Sequence, residues 1–200
     1  VFRTEDEALF REKLQRFPQL SAVAVGNLGH LPIVEGLGLE VRGDFGLNVF
    51  NSRALAFLRE LGLASATVSS ELRHQQVRDL AKLLPCEGIV YGRLPLMVME
   101  NCITKNNVGC RHCAGSTLTD RTGAQFPVQC VYGCRNEIEN SLPLFLADKA
   151  EWRRCGLTSA RLRFTTETAD ECAAVLRRYR GEGDYAPEKY TRGLFYRGVE

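Results

Sequence analysis

The sequence predicts an α/β fold: a partial or incomplete (β/α) TIM-barrel-like sheet that carries a cysteine-rich insertion. Three observations predict it. Short apolar runs begin near residues 20, 39, 65 and 87 and alternate with amphipathic segments, a spacing that suits β/α units and a parallel sheet. A fifth such unit begins near residue 159. Between the fourth and fifth units, residues 101–147 are rich in Cys, Gly, Asn and Thr and weak in periodicity. A closed barrel needs eight strands, so five units imply an open sheet or strands outside this sequence.

Taken in order, Thr4 to Phe17 reads as a helix with Phe10, Leu14 and Phe17 on one face. Leu20–Gly26 (LSAVAVG) is a nearly continuous apolar run, as in a strand buried on both sides. Leu39–Phe45 is a second strand. Asn51 caps a helix through Leu61, with Leu55, Leu58 and Leu61 at helical spacing, and Gly62 ends it. Ser65–Ser70 is a third strand, Glu71 to Leu84 a helix burying Val77, Leu80, Ala81 and Leu84, and Glu87–Gly92 a fourth strand. Ser159–Phe164 is the late strand. Thr168 and Glu171 form a capping box for a helix to about Arg180, with Ala169, Cys172, Ala173, Leu176 and Tyr179 inward. From Gly181 onward the chain reads as an irregular arm that docks elsewhere. The expected domains are a (β/α) segment over 1–100, a metal-binding insertion over 101–147, and a further β/α unit with a C-terminal arm over 148–200.

Composition narrows the class. The 200 residues are 44% apolar and 25% charged, ordinary for a globular protein that buries a core without staples. No run of about 18 apolar residues suggests a membrane span. The opening VFRTEDEALFREKL is charged and amphipathic, unlike a signal peptide, and lacks an initiating Met; a piece of a longer parent chain in a reducing, cytoplasmic compartment is expected. Net charge is −1 over the first 100 residues and +3 over the second, too little to establish nucleic-acid binding.

The eight cysteines carry the chemistry. Cys102, Cys110, Cys113, Cys130 and Cys134 fall within 33 residues, whereas Cys86, Cys155 and Cys172 are scattered and read as core residues. Cys110-Arg-His-Cys113 has the two-residue spacer that lets two thiolates converge, and Cys130 and Cys134 form a second close pair. Thiolates are soft ligands for zinc or for an iron–sulfur cluster, and spacing does not choose between the two. His112 reads as a solvated loop residue. A second candidate site is the row of polar residues after the strands, from which Asp44, Glu71 and Arg93 are the candidate catalytic groups; Asn51, Ser70 and Thr168 read as helix caps. No dinucleotide loop, HExxH or GxSxG motif occurs.

Tyr91–Cys102 (YGRLPLMVMENC), followed by Gly109-Cys110-Arg-His-Cys113, Leu118–Val128 (LTDRTGAQFPV), Cys134 and Asn140–Asp148 (NSLPLFLAD), resembles the collagenase-like peptidase family U32, in its large-protein branch. Leu47–Gly62 and Thr67–Leu72 also resemble that family's barrel segments. The resemblance implies a (β/α) barrel with a cysteine-rich insertion. It also implies either peptidase activity of unassigned catalytic type or oxygen-independent hydroxylation of RNA or a quinone precursor. It further implies a four-iron four-sulfur cluster on Cys102, Cys110, Cys113 and a fourth cysteine. Relatives place that fourth cysteine in a segment that here reads Asn140-Ser-Leu-Pro-Leu-Phe145, so Cys134 is carried over as the fourth ligand, with Cys130 as its rival. The expected partners are RNA or a peptide substrate, with no membrane. The alternatives are a collagenase-like protease and a structural zinc module.

Overall fold

The computed structural model describes residues 4–110, 115–131 and 134–199. The helices are α1 (Glu7–Gln15), α2 (Leu31–Val34), α3 (Ser52–Glu60), α4 (His74–Leu80), α5 (Ile103–Val108) and α6 (Ala169–Arg180). The strands are β1 (Ala22–Val25), β2 (Glu40–Gly43), β3 (Ser65–Thr67), β4 (Cys86–Gly92), β5 (Pro95–Met99), β6 (Thr117–Thr119), β7 (Gln125–Val131), β8 (Arg135–Glu139), β9 (Leu144–Phe145) and β10 (Ser159–Arg163). Two compact units are formed, and the division falls inside β4 and β10. The first runs up to Ile89 and adds Lys149–Arg161 and the residues from Gly193; the second comprises Val90–Asp148 and Leu162–Arg192.

Parallel pairing joins β1 to β2, β2 to β3 and β3 to β4, and the strand order is β1-β2-β3-β4-β10, with β9 antiparallel to β4. Among the described residues the order ends at β1 and β10 with no pairing to close it. The fold is therefore mixed α/β with a parallel sheet that is open among the described residues, as the count of β/α units implied; its six strands, β9 included, form no barrel among the described residues.

In the first unit the core comprises Val25, Val49, Leu55, Leu58, Leu63, Val77, Leu80 and Cys86, all under one-tenth exposed. Local signals fix its helices. Asn51 Oδ1 accepts from Ala54 N at 2.9 Å and starts α3. Gly62, at φ +85°, ends it in a conformation that costs other residues more. Three expectations need correction here. The β1 run is buried only at Val25, because β1 is an edge strand in the order. Leu61 lies outside the buried stripe of α3. α4 begins at His74 rather than Glu71, because Ser69–Leu72 forms a turn in which Leu72 N donates to Ser69 O; Ser70 is not its cap.

In the second unit, residues that promised little regular structure form an antiparallel sheet ordered β5-β8-β7-β6. Asp120 turns the β6–β7 hairpin: its Oδ1 accepts from Thr122 N at 2.7 Å and Ala124 N at 3.0 Å. Helix α6 has the expected capping box of Thr168 and Glu171. It buries Val175 and Tyr179, while Ala169 and Leu176 face solvent, so the inward stripe is rotated from the expected one. The Tyr179 hydroxyl donates to Val90 O at 2.6 Å and accepts from Leu146 N at 3.0 Å, so a side chain replaces missing backbone pairing. The arm is partly ordered in this unit: Thr191 pairs with Leu144. No helix among the described residues is long and apolar enough to cross a membrane.

Candidate metal centre and polar sites

The cysteine region is built on the antiparallel sheet and on α5. Cys102 is buried at the N-cap of α5, where its Sγ accepts from Lys105 N at 3.4 Å. Cys110 lies just beyond the same helix and is exposed. Cys130 is near the end of β7, and Cys134 immediately precedes β8; both are exposed. Cys134 holds a left-handed backbone, φ +62°, an uncommon conformation for a residue with a Cβ. Cys113 and His112 lie outside the described residues.

The sulfurs sense one another. The Cys134 thiol is held above its ordinary value first by Cys110, then by Cys130, with burial and Cys102 contributing. A thiolate at any one position makes ionisation of the next harder. Cys102 and Cys110 stand at the two ends of α5, and Cys130 and Cys134 at the adjoining ends of the paired strands β7 and β8. The seven described cysteines form no disulfide with one another. No group of three or more His, Cys, Asp or Glu among the described residues stands at the spacing of a single bound ion. Thiolates are the soft donors that zinc and iron–sulfur centres take.

Asn136 adds a second sign. It is 1% exposed, and its Oδ1 accepts from Ile103 N at 2.7 Å, yet Nδ2 is buried with no hydrogen-bond partner among the described residues. Cys130 is its cross-strand partner, and Cys134 precedes it by two residues. Nothing in the sequence marked Asn136; only its place in the ladder, opposite Cys130, does.

The polar residues after the strands are held very differently. In the first unit Asp44 follows β2 directly. Its carboxylate caps Phe45 N at 2.8 Å and pairs with Arg161 at 2.5 Å. Arg161 also pairs with Glu87 at 2.6 Å, and Glu87 accepts from the Thr67 hydroxyl at 2.8 Å. Glu71 is exposed in the turn before α4, and among the described residues no hydrogen bond or ion pair joins it to Asp44. In the second unit Arg93 follows Gly92, whose φ of +114° lets β4 approach Arg163; a Cβ there would sit 1.9 Å from Arg163 O. The Arg93 guanidinium donates to Asn140 O at 2.9 Å, to Ser141 O and to Thr166 Oγ1 at 3.3 Å. It borders a cleft of about 490 Å³ lined also by Tyr91, Gln125, Thr166, Glu167 and Lys189. Burial pushes the Tyr91 phenol well up, and neighbouring Glu167 and Tyr185 add to this.

The ion pairs at the sheet carry no motif in the sequence. Arg163 joins buried Glu139 at 2.7 Å and also Glu137. Burial holds the Glu137 carboxyl above its usual range, against the pull of Arg163. Alternate arginines at 161 and 163 in an apolar strand pattern were the available signal.

An open α/β sheet, an antiparallel sheet and a gathered cysteine set define a cysteine-rich α/β protein. The family model for Peptidase family U32 matches residues 2–140, and the chain belongs to that family. Comparison with curated proteins and with solved structures finds no match.

Proposed function

We propose that this chain is part of a U32 protein that carries a four-iron four-sulfur cluster and acts in oxygen-independent hydroxylation of RNA. The observation that supports the cluster is the placing of Cys102 and Cys110 at the two ends of α5 and of Cys130 and Cys134 at the adjoining ends of β7 and β8, with Cys113 three residues from Cys110 in sequence. The ligand set is Cys102, Cys110, Cys113 and Cys134, with Cys130 as rival for the fourth place. When bound, such a cluster supplies one-electron chemistry, with a potential set by its charge, burial and hydrogen bonds. The chain's own residues hold the thiolates in position. The RNA substrate rests on the motif resemblance alone. The Arg93 cleft, with cationic and acidic walls, is the proposed substrate-facing surface of the second unit, and Asp44 and Glu71 are the proposed acid–base groups of the first.

The test is anaerobic purification or reconstitution with ferrous iron and sulfide, followed by iron and sulfide analysis and Mössbauer spectroscopy. About four irons and four sulfides per chain are expected. One equivalent of zinc with no iron uptake contradicts the cluster and leaves the structural zinc module. Serine at Cys134 lowers the iron content and serine at Cys130 does not; the reverse result makes Cys130 the fourth ligand. Mass spectrometry of RNA from cells with and without the parent protein tests the substrate, and an unchanged set of hydroxylated nucleosides overturns it.

The peptidase reading gains little from the buried thiols. Cys155 donates to Glu151 O at 3.2 Å and to the backbone of His74 at 3.5 Å, and burial pushes its thiol up to about 11. An activated nucleophile needs the opposite shift.

A further inference from the structure

The amide of Asn136 can be oriented without ambiguity. Ile103 N–H can only donate, so the side-chain oxygen must face it at 2.7 Å and the NH2 must face away. That NH2 is buried and lacks a partner among the described residues, an arrangement that is costly when left unmade. Three cysteines surround its place in the chain. Ile103 directly follows Cys102; Cys130 is the cross-strand partner of Asn136; Cys134 precedes it by two residues. Opposed residues of an antiparallel pair share a face with Cβ atoms about 5 Å apart, so Cys130 leaves from the same face as the amide; Nδ2 has no sulfur partner among the described residues until a ligand-holding centre draws one in.

We infer that Asn136 Nδ2 donates a hydrogen bond to a sulfur of the metal centre, making Asn136 a positioning residue that both seats the centre and tunes it. The inference rests on the metal-centre reading above. Its oxygen ties the α5 end that carries Cys102 to β8, and its nitrogen neutralises part of the negative charge on sulfur. Such a donor favours the reduced, more negative state of a cluster and so raises its potential. Partners of this kind typically contribute 10- to 100-fold in metal affinity.

The experiment uses the whole chain, loaded anaerobically with ferrous iron and sulfide, and compares wild type with Asn136→Leu and Asn136→Asp. Leucine removes donor and acceptor without adding charge; aspartate keeps the acceptor for Ile103 and removes the donor. Spectroelectrochemical titration should show a more negative potential in both variants. Zinc competition against a chromophoric chelator should show a 10- to 100-fold weaker site in both. If Asn136→Leu does not fold by circular dichroism, Asn136→Ala serves as the neutral variant. A shift in the aspartate variant only is a charge effect and overturns the inference. Unchanged potential and affinity in both also overturn it, and assign the amide to a buried water or to structure alone, while the metal-centre reading stands. Wild-type protein that takes up neither cluster nor zinc removes both readings.

Discussion

At Cys86 the sulfur is fully buried and donates to Leu84 O at 3.2 Å; at Cys155 it is 2% exposed. Burial pushes each thiol from an ordinary 9.0 up to about 11. The fold therefore favours the protonated form of both. Their contribution to stability is complete below about pH 9 and is lost as pH rises toward 11. About two units correspond to roughly 2–3 kcal/mol per thiol. Denaturant midpoints at pH 8, 9.5 and 11 should fall more steeply for wild type than for a Cys86→Ala/Cys155→Ala protein. Parallel curves would remove the linkage. At pH 8 a thiol reagent should label exposed Cys110, Cys130 and Cys134 first and reach Cys86 and Cys155 only after unfolding.

At the level of the elements, local chemistry decides some boundaries and long-range pairing decides others. The Thr168 hydroxyl accepts from Glu171 N at 3.3 Å, and the Glu171 carboxylate accepts from Thr168 N at 2.7 Å. Thr168→Ala should cost about 1 kcal/mol in chemical denaturation, and a change under 0.3 would contradict the cap. This box and the Asn51 cap were legible in the sequence because each is closed within four residues. Helix α4 and strands β5 to β9 were less legible. Strand β7 carries Pro127 in its middle, and β8 reads RNEIE, yet Arg135, Asn136 and Glu139 are all buried. Hydrophobic alternation cannot reveal a strand whose inward residues are polar. In β10, Arg161 links Asp44 and Glu87, which leaves two carboxylates facing one guanidinium. Arg161→Met should destabilise by about 1–3 kcal/mol, less than a fully buried pair because all three side chains retain about a quarter of their exposure. A thermal shift within error of wild type would show that water already screens the pair.

For the molecule as a whole, the cysteines were legible as a set because five of them fall within 33 residues at short spacers. What united them, the ladder placing Cys130 opposite Asn136 and the helix cap at Cys102, is tertiary and has no local signature. The two units bury different kinds of residue around these elements. The first has a broad apolar core that includes Val49, Leu55, Leu72 and Cys86. In the second, β7 and β8 contribute only Val128 and Ile138 to the buried apolar set, beside buried charge at Arg135 and Glu139. Binding energy from a thiolate-bound centre is folding energy for the segment that supplies the ligands. Removing the metal with a chelator should therefore speed amide exchange across β5–β8 and α5 by at least tenfold, while the amides of β2, β3 and α3 keep their protection. Hydrogen exchange read by mass spectrometry on loaded and stripped protein makes the comparison peptide by peptide. Uniform loss of protection across both units would show that the centre supports the whole fold. No change over 102–139 would show that the antiparallel sheet holds itself together without it.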